Sequence, residues 1–192
     1  MTQPKNSEHK LSMETAQTRP ELRQLLRQKR QSLAPEQKAL LDAELGKQLL
    51  TWYQQNKPAS LAVYWPIQSE PDLRVHYQQL QDQGLALALP LVTGKDRPLS
   101  FLAWQAGDAM SVDCYGIAIP AHGRLVSQPE VLLIPCLGWN AAGYRLGYGG
   151  GFYDRTLAIA PRPLAIGIAY ACTQAEFAAH EHDIAMDCIL SA

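Results

Sequence analysis

The chain has 192 residues, 47% of them apolar, with 17 Lys plus Arg against 18 Asp plus Glu and a net charge of −1. That length and apolar content suit one compact domain with a real core and exclude a disordered chain. The near-neutral balance excludes general nucleic-acid binding through a basic surface, so any phosphate chemistry must rest on local charge.

The first stretch, MTQPKNSEHKLSMETAQT, lacks the apolar centre of a signal peptide, and residues 1–18 read as a polar, mobile tail before a single α/β domain over 19–192. Thr18 to Leu33 reads as a helix with Pro20 in its first turn and Leu22, Leu25, Leu26 and Leu33 along one face. Pro35 opens a second predicted helix to about Gln54. Ser60–Trp65 reads as a strand, Pro71–Gln83 as a helix stopped by Gly84, and Leu85–Leu89 as the next strand. That order predicts a crossover and a parallel strand pair. Further strands are expected at Leu99–Trp104, Val131–Ile134, Leu164–Ala169 and Cys188–Leu190, with a helix over Gly150–Ala160. The expected architecture is one α/β domain, a mostly parallel sheet covered by helices. No apolar run approaches the ~18 residues of a membrane span. Cys114, Cys136, Cys172 and Cys188 form no C-x-x-C pair, which argues against zinc and reads as reduced thiols in a cytoplasmic protein.

The most informative segment is RLGYGGGFYDR, Arg145 to Arg155. Gly147, Gly149, Gly150 and Gly151 crowd a turn between the Val131–Ile134 strand and a helix, where glycine lets a ligand approach the backbone and several N–H groups converge on an anion. Arg145 adds a forked cation suited to phosphate. A plain tight turn is the bland alternative, but it leaves the flanking Arg and Asp unexplained. The loop is not a Walker A motif, since no Gly-Lys-Ser/Thr follows, and Phe152 breaks the dinucleotide-binding glycine spacing. On the first helix, Arg19, Arg23, Arg27 and Arg30 recur at helical spacing. A solvated face is one reading of that stripe. A bound polyphosphate is the other, because Arg19 and Arg23 stand at the positive end of the helix, where a cation is mildly unfavourable.

The eleven-residue segment, with the preceding LIPCLGWNAAGY, resembles the signature of the 5-formyltetrahydrofolate cyclo-ligase family, and a weaker likeness runs from about Arg19 to Leu190. Asn140 stands where that family commonly has Asp, Phe152 where Tyr is common, and Arg19 where Lys is usual. The resemblance implies a three-layer α/β/α domain like the NagB/RpiA/CoA transferase fold. It implies ATP contacts from Arg19, Arg23, Arg145, Gly147, Tyr148, Gly149, Gly150 and Gly151. Folate contacts would come from Trp65, Glu70, Phe152 and Tyr153, and Mg²⁺ would be held through Asp154 and Asp187. It also implies ATP and 5-formyltetrahydrofolate as the small-molecule substrates, and the expected protein is a cytoplasmic monomer. Phosphorylation of the formyl oxygen and attack by N10 would close the ring to 5,10-methenyltetrahydrofolate, releasing ADP and phosphate, with Arg145 as the catalytic charge. The loop by itself also suits a non-catalytic phosphate-ligand sensor, or an ATP-dependent enzyme acting on another substrate. His180 and His182 read as residues of an exposed loop.

Overall fold

A computed structural model describes residues 17–192, so the predicted tail lies outside the described residues except for its last two positions. Helix α1 (Arg19–Gln31) begins where expected, because the Glu21 carboxylate accepts hydrogen bonds from the Thr18 N–H (2.9 Å) and hydroxyl (2.7 Å). Helix α2 (Pro35–Asn56) ends at Lys57, which takes the left-handed conformation at φ 46.

Strand β1 (Ser60–Ala62) is shorter than Ser60–Trp65, although the Val63 N–H still bonds the Ala88 carbonyl and prolongs the ladder. Helix α3 (Arg74–Asp82) starts after Pro71 rather than at it. Strand β2 (Ala86–Leu91) lies parallel to β1, with Leu61 opposite Leu87, as the strand–helix–strand order requires. Strand β3 (Ser100–Trp104) returns antiparallel to β2. The hairpin β4 (Met110–Val112) and β5 (Ala118–Pro120) and the short strand β6 (Leu125–Val126) follow; none of the three is readable from the sequence. Strands this brief carry no alternating period. Strand β7 (Val131–Pro135) leads into a second hairpin, β8 (Gly138–Trp139) and β9 (Arg145–Leu146). Helix α4 (Phe152–Leu157) has six residues, half the length expected from Gly150–Ala160, and β10 (Leu164–Ala169) and β11 (Cys188–Ser191) close the chain.

The main sheet has the order β11-β10-β7-β1-β2-β3-β6. The run from β11 to β2 is parallel. Its two faces are built from alternate residues, as the strand period demands. Leu61, Val63, Leu87, Leu89, Val131 and Leu133 join the core shared with Leu45 and Leu49 of α2 and Tyr77 and Leu80 of α3. Ala62, Ala88, Leu132 and Ile134 face the other way, against Leu157 of α4. Helices thus cover both faces, and the domain has three layers. The chain runs from β1 through α3 to β2 on one side of β1, while β7 lies on its other side and connects through α4 to β10. The carboxyl ends of β1 and β7 therefore mark the point where the strand order reverses, the place where open α/β sheets leave a crevice for ligands. Helix α1 packs over that end of the sheet, with Leu22 and Leu26 against Leu137 and Leu146.

Candidate active site

A cleft of about 1490 Å³ opens at this reversal point. Single ligands commonly occupy roughly 300–1,000 Å³, so the cleft has room for two side by side. A smaller hollow, about 770 Å³, lies at the other end of β2. There the Gln81 amide bonds the Trp104 carbonyl and the Ala106 N–H, and Asp108 accepts from the Gln105 N–H, so these polar groups are already satisfied.

One half of the cleft is the glycine loop. Strand β9 delivers Arg145 to its start and α4 delivers Asp154 to its end. Arg145, only 8% exposed, places Nη2 2.9 Å from Asp154 Oδ2, and its guanidinium lies 5.8 Å from the centre of the Tyr153 ring. The other Asp154 oxygen, Oδ1, accepts the Ile184 N–H at 3.2 Å. Gly149 and Gly151 have φ of +94 and +65, which L side chains rarely adopt, so these positions need glycine. Gly147 differs: its φ is not left-handed, and a Cβ there would meet nothing within 4 Å. With α4 so short, the helix dipole contributes less than expected. Guanidinium groups and loop amides must supply most of the positive potential.

Helix α1 supplies further cations. Arg23 donates from Nε to the Gly147 carbonyl at 2.8 Å, and its guanidinium lies 3.5 Å from where a Gly149 Cβ would stand. Burial and the neighbouring Arg19 both depress the Arg23 pKa. Arg23 has no ion pair among the described residues. Arg19 is different: it pairs with Asp183, and its Nη2 donates to the Ala178 carbonyl at 2.8 Å. The helix-start cation is thus already compensated within the chain. Burial pushes the Asp183 carboxyl up, but the Arg19 guanidinium and the His180 N–H outweigh it and hold the pKa below the usual range.

The other half is aromatic with a buried acid. Trp65, just past β1, meets Trp104 edge-on with ring centres 6.1 Å apart and carries the Arg74 guanidinium 5.0 Å from its own centre. Glu70 is 3% exposed. Burial raises its pKa, opposed by the Ile67 N–H, the Arg30 charge and the Tyr148 hydroxyl. Phe152 stands edge-on to Tyr115 from the β4–β5 turn, with ring centres 5.8 Å apart. Burial drives the Tyr153 phenol well up and the Tyr148 phenol to about 12, so both remain neutral.

The structure brings together every candidate from the sequence except Asp187. Asp187 pairs with Arg162 at 2.9 Å and accepts the Ala165 N–H at 2.7 Å, at the amino end of β10, whereas the cleft opens at the carboxyl ends of the strands. Of the spaced acids in the closing segment, Asp183 is the one that lines the cleft. Four residues beyond the sequence candidates belong to the site. Asp183 was visible four positions before Asp187, and Arg27 and Arg30 were visible in the arginine stripe. Tyr115 had no signal, since its hairpin had none. His180 and His182 lie exposed at the cleft mouth, and no group of three or more His, Cys, Asp or Glu side chains among the described residues is placed to hold a metal. Magnesium does not require such a group, since it takes one or two carboxylates together with substrate phosphates and water. Asp154 offers a carboxylate of that kind beside the glycine loop.

A family model described as the 5-formyltetrahydrofolate cyclo-ligase family matches residues 15–192. The chain is 27% identical over 173 residues to a 5-formyltetrahydrofolate cyclo-ligase of Haemophilus influenzae, covering 86% of this chain and 92% of that one. It is 28% identical over 176 residues to the enzyme of the same name from Mycoplasma pneumoniae, covering 88% and 96%. The solved structure of a 5,10-methenyltetrahydrofolate synthetase from Mycoplasma pneumoniae superposes with a TM-score of 0.76 at 25% identity, over 91% of this chain and 98% of that one. The solution structure of the Aquifex aeolicus 5,10-methenyltetrahydrofolate synthetase gives 0.77 at 28% identity, over 90% and 89%. With the signature loop, the fold and nearly the whole length in agreement, the chain belongs to the 5-formyltetrahydrofolate cyclo-ligase family.

Proposed function

We propose that this protein converts 5-formyltetrahydrofolate to 5,10-methenyltetrahydrofolate, consuming ATP and releasing ADP and phosphate. The observation that carries this reading, given the family, is the two-part cleft: an arginine-and-glycine cradle beside an aromatic pocket with a buried acid, Glu70.

The formamide oxygen of the substrate is a poor leaving group. Transfer of the γ-phosphoryl group of ATP to that oxygen makes it a good one, and ADP leaves. N10 of the same folate then attacks the formyl carbon, the carbon–oxygen bond breaks, phosphate departs and N10 gives up its proton. Because N10 belongs to the substrate, the protein supplies proximity rather than a nucleophile. Phosphoryl transfer needs positioning and neutralised charge. Arg145, Arg23 and the amides of the glycine loop would meet the phosphates, and Arg19, paired with Asp183, lines the same cleft. Asp154 is the residue that would hold Mg²⁺, and Asp183 lines the same cleft. Bound there with ATP, the metal would neutralise phosphate charge. Trp65, Phe152 and Tyr153 offer flat walls for a pterin, and Glu70 offers an acceptor for its N–H groups.

The free, separate thiols suit a reducing compartment, and no helix among the described residues is long and apolar enough to cross a membrane. We read the protein as a monomeric cytoplasmic enzyme on small-molecule substrates. The test is ADP release measured with and without 5-formyltetrahydrofolate. Release that requires the folate is expected; release at the same rate without it, or with any added acceptor, would reject the assignment.

A further inference from the structure

The two halves of the cleft touch at Tyr148. It stands between Gly147 and Gly149, and its hydroxyl accepts from Arg30 Nη2 at 2.5 Å while donating to Glu70 Oε1 at 3.0 Å. The other Glu70 oxygen, Oε2, is held by the Ile67 N–H at 2.9 Å. Glu70 and Arg30 are 3% and 1% exposed, so water does not readily substitute for Tyr148 at either. Arg30 Nη2 also donates to the Gln68 carbonyl at 2.8 Å, inside a turn where Gln68 and Ser69 take φ of 46 and 62. The Arg30 atoms Nε and Nη1 are buried with no hydrogen-bond partner among the described residues. A buried guanidinium already short of acceptors is sensitive to losing another. Tyr148 thus caps the buried acid on the folate side.

The same residue is tied to the phosphate side. Arg23 bonds the carbonyl of Gly147, the residue just before Tyr148, and arches over Gly149, the residue just after. Glycine on both sides leaves the backbone around Tyr148 free to change direction. A polyphosphate offers Arg23 charge-assisted hydrogen bonds, stronger than the one to a neutral carbonyl. Drawing Arg23 away releases the loop next to Tyr148, and any shift of that hydroxyl uncovers Glu70 Oε1 for the N–H donors of a reduced pterin.

We propose that Tyr148 is a positioning residue that couples the two sites: a polyphosphate on the glycine loop, acting through Arg23, lifts the Tyr148 cap from Glu70 and so strengthens binding of the reduced folate. The coupling rests on the functional reading above. It is reciprocal, so folate strengthens polyphosphate binding by the same factor.

The experiment is calorimetric titration of 5-formyltetrahydrofolate into wild type and Tyr148→Phe, each with and without a saturating non-hydrolysable ATP analogue and Mg²⁺. In wild type the analogue should lower the folate Kd by about fivefold or more, the lower end of ordinary allosteric couplings. In Tyr148→Phe, which keeps the ring and loses only the hydroxyl, the two Kd values should agree within about twofold, while the melting temperature falls because Glu70 and Arg30 each lose a buried partner. A merely structural role would weaken binding without removing the ratio. A variant that keeps the wild-type ratio overturns the coupling, as does a wild type that binds both ligands independently. A wild type that binds neither ligand overturns the functional reading, and the coupling with it.

Discussion

Arg145 and Asp154 close the base of the glycine loop as an ion pair, Nη2 to Oδ2 at 2.9 Å, so that the residues between them leave and return at one fixed point. The pair is partly buried, with side-chain exposures of 6% and 22%. Arg145 therefore has two tasks, charge for phosphoryl transfer and anchorage of the loop. Replacing it with Ala should lower kcat by about 100-fold or more, the usual cost of one lost charge-stabilising donor. It should also lower the melting temperature, because Asp154 loses its partner. Arg145→Lys should recover much of the stability and little of the rate, since an ammonium lacks the guanidinium fork. Unchanged kcat in Arg145→Ala would remove the residue from the chemistry.

Turnover should stop in excess chelator and return with Mg²⁺. Asp154→Asn should raise the Mg²⁺ concentration for half-maximal rate by about tenfold and weaken the effect of Mg²⁺ on nucleotide affinity in calorimetry. Asp187→Asn should leave both unchanged, because Asp187 sits at the amino end of β10, away from the cleft that Asp154 lines. Its cost should be one of stability, about 1 kcal/mol for a partly exposed ion pair and hydrogen bond. A shift in Mg²⁺ dependence for Asp187→Asn alone would restore that residue to the metal site.

Much of this was legible beforehand. The loop glycines, Arg145 and Asp154 lie together in the sequence, so a local pattern reveals them. Trp65 and Glu70 rest on the family resemblance, and both lie beyond the end of β1. Distance in the chain hid the rest. Arg30 looked like one cation in a solvated stripe, yet it is buried because the turn at Gln68 and the hydroxyl of Tyr148 meet it from far along the sequence. Asp183 lines the cleft while Asp187 sits at the amino end of β10, and no spacing rule reports that difference. The hairpin carrying Tyr115 consists of strands of three residues, too short for a period.

Two glycines separate steric from conformational effects. Gly147 has open space around its missing Cβ and no left-handed backbone, so Gly147→Val should keep an ordinary melting transition while losing ATP affinity. Gly149, at φ +94, should pay in stability even for a methyl group, by about 1 kcal/mol or more. Normal nucleotide binding by a folded Gly147→Val variant would contradict the placement of phosphate at this loop.

The two arginines of α1 should differ. Arg23→Ala should raise the ATP KM by about tenfold at saturating folate, because its guanidinium lies over the loop without a carboxylate partner among the described residues. Arg19→Ala should change ATP KM less and lower stability, and with it the acid tolerance supplied by its partner. The Asp183 pKa is lowered in the fold, so the stability from that pair is present above the ordinary carboxylate value and is lost as pH falls through the lowered one. Equal ATP KM effects from the two variants would show that Arg19 meets phosphate as directly as Arg23.

Glu70 has the opposite sign. Burial raises its folded pKa, so its contribution to stability is greatest below the unfolded value near 4.5 and declines as pH rises through the raised folded value. Glu70→Gln removes that penalty; it should melt at a higher temperature than wild type at neutral pH, yet bind the folate more weakly. A melting temperature that falls at neutral pH would show that the Arg30 and Tyr148 contacts outweigh the cost of burying the charge.

The most direct test of the cyclisation is to follow methenyltetrahydrofolate by its absorbance while counting ADP, in reactions of the purified protein with 5-formyltetrahydrofolate, Mg²⁺ and ATP. The expected result is one methenyltetrahydrofolate for each ADP, and none when ATP is withheld. Product formed at the same rate without ATP, or ADP released without product, would contradict phosphorylation of the formyl oxygen as the step this cleft is built to perform.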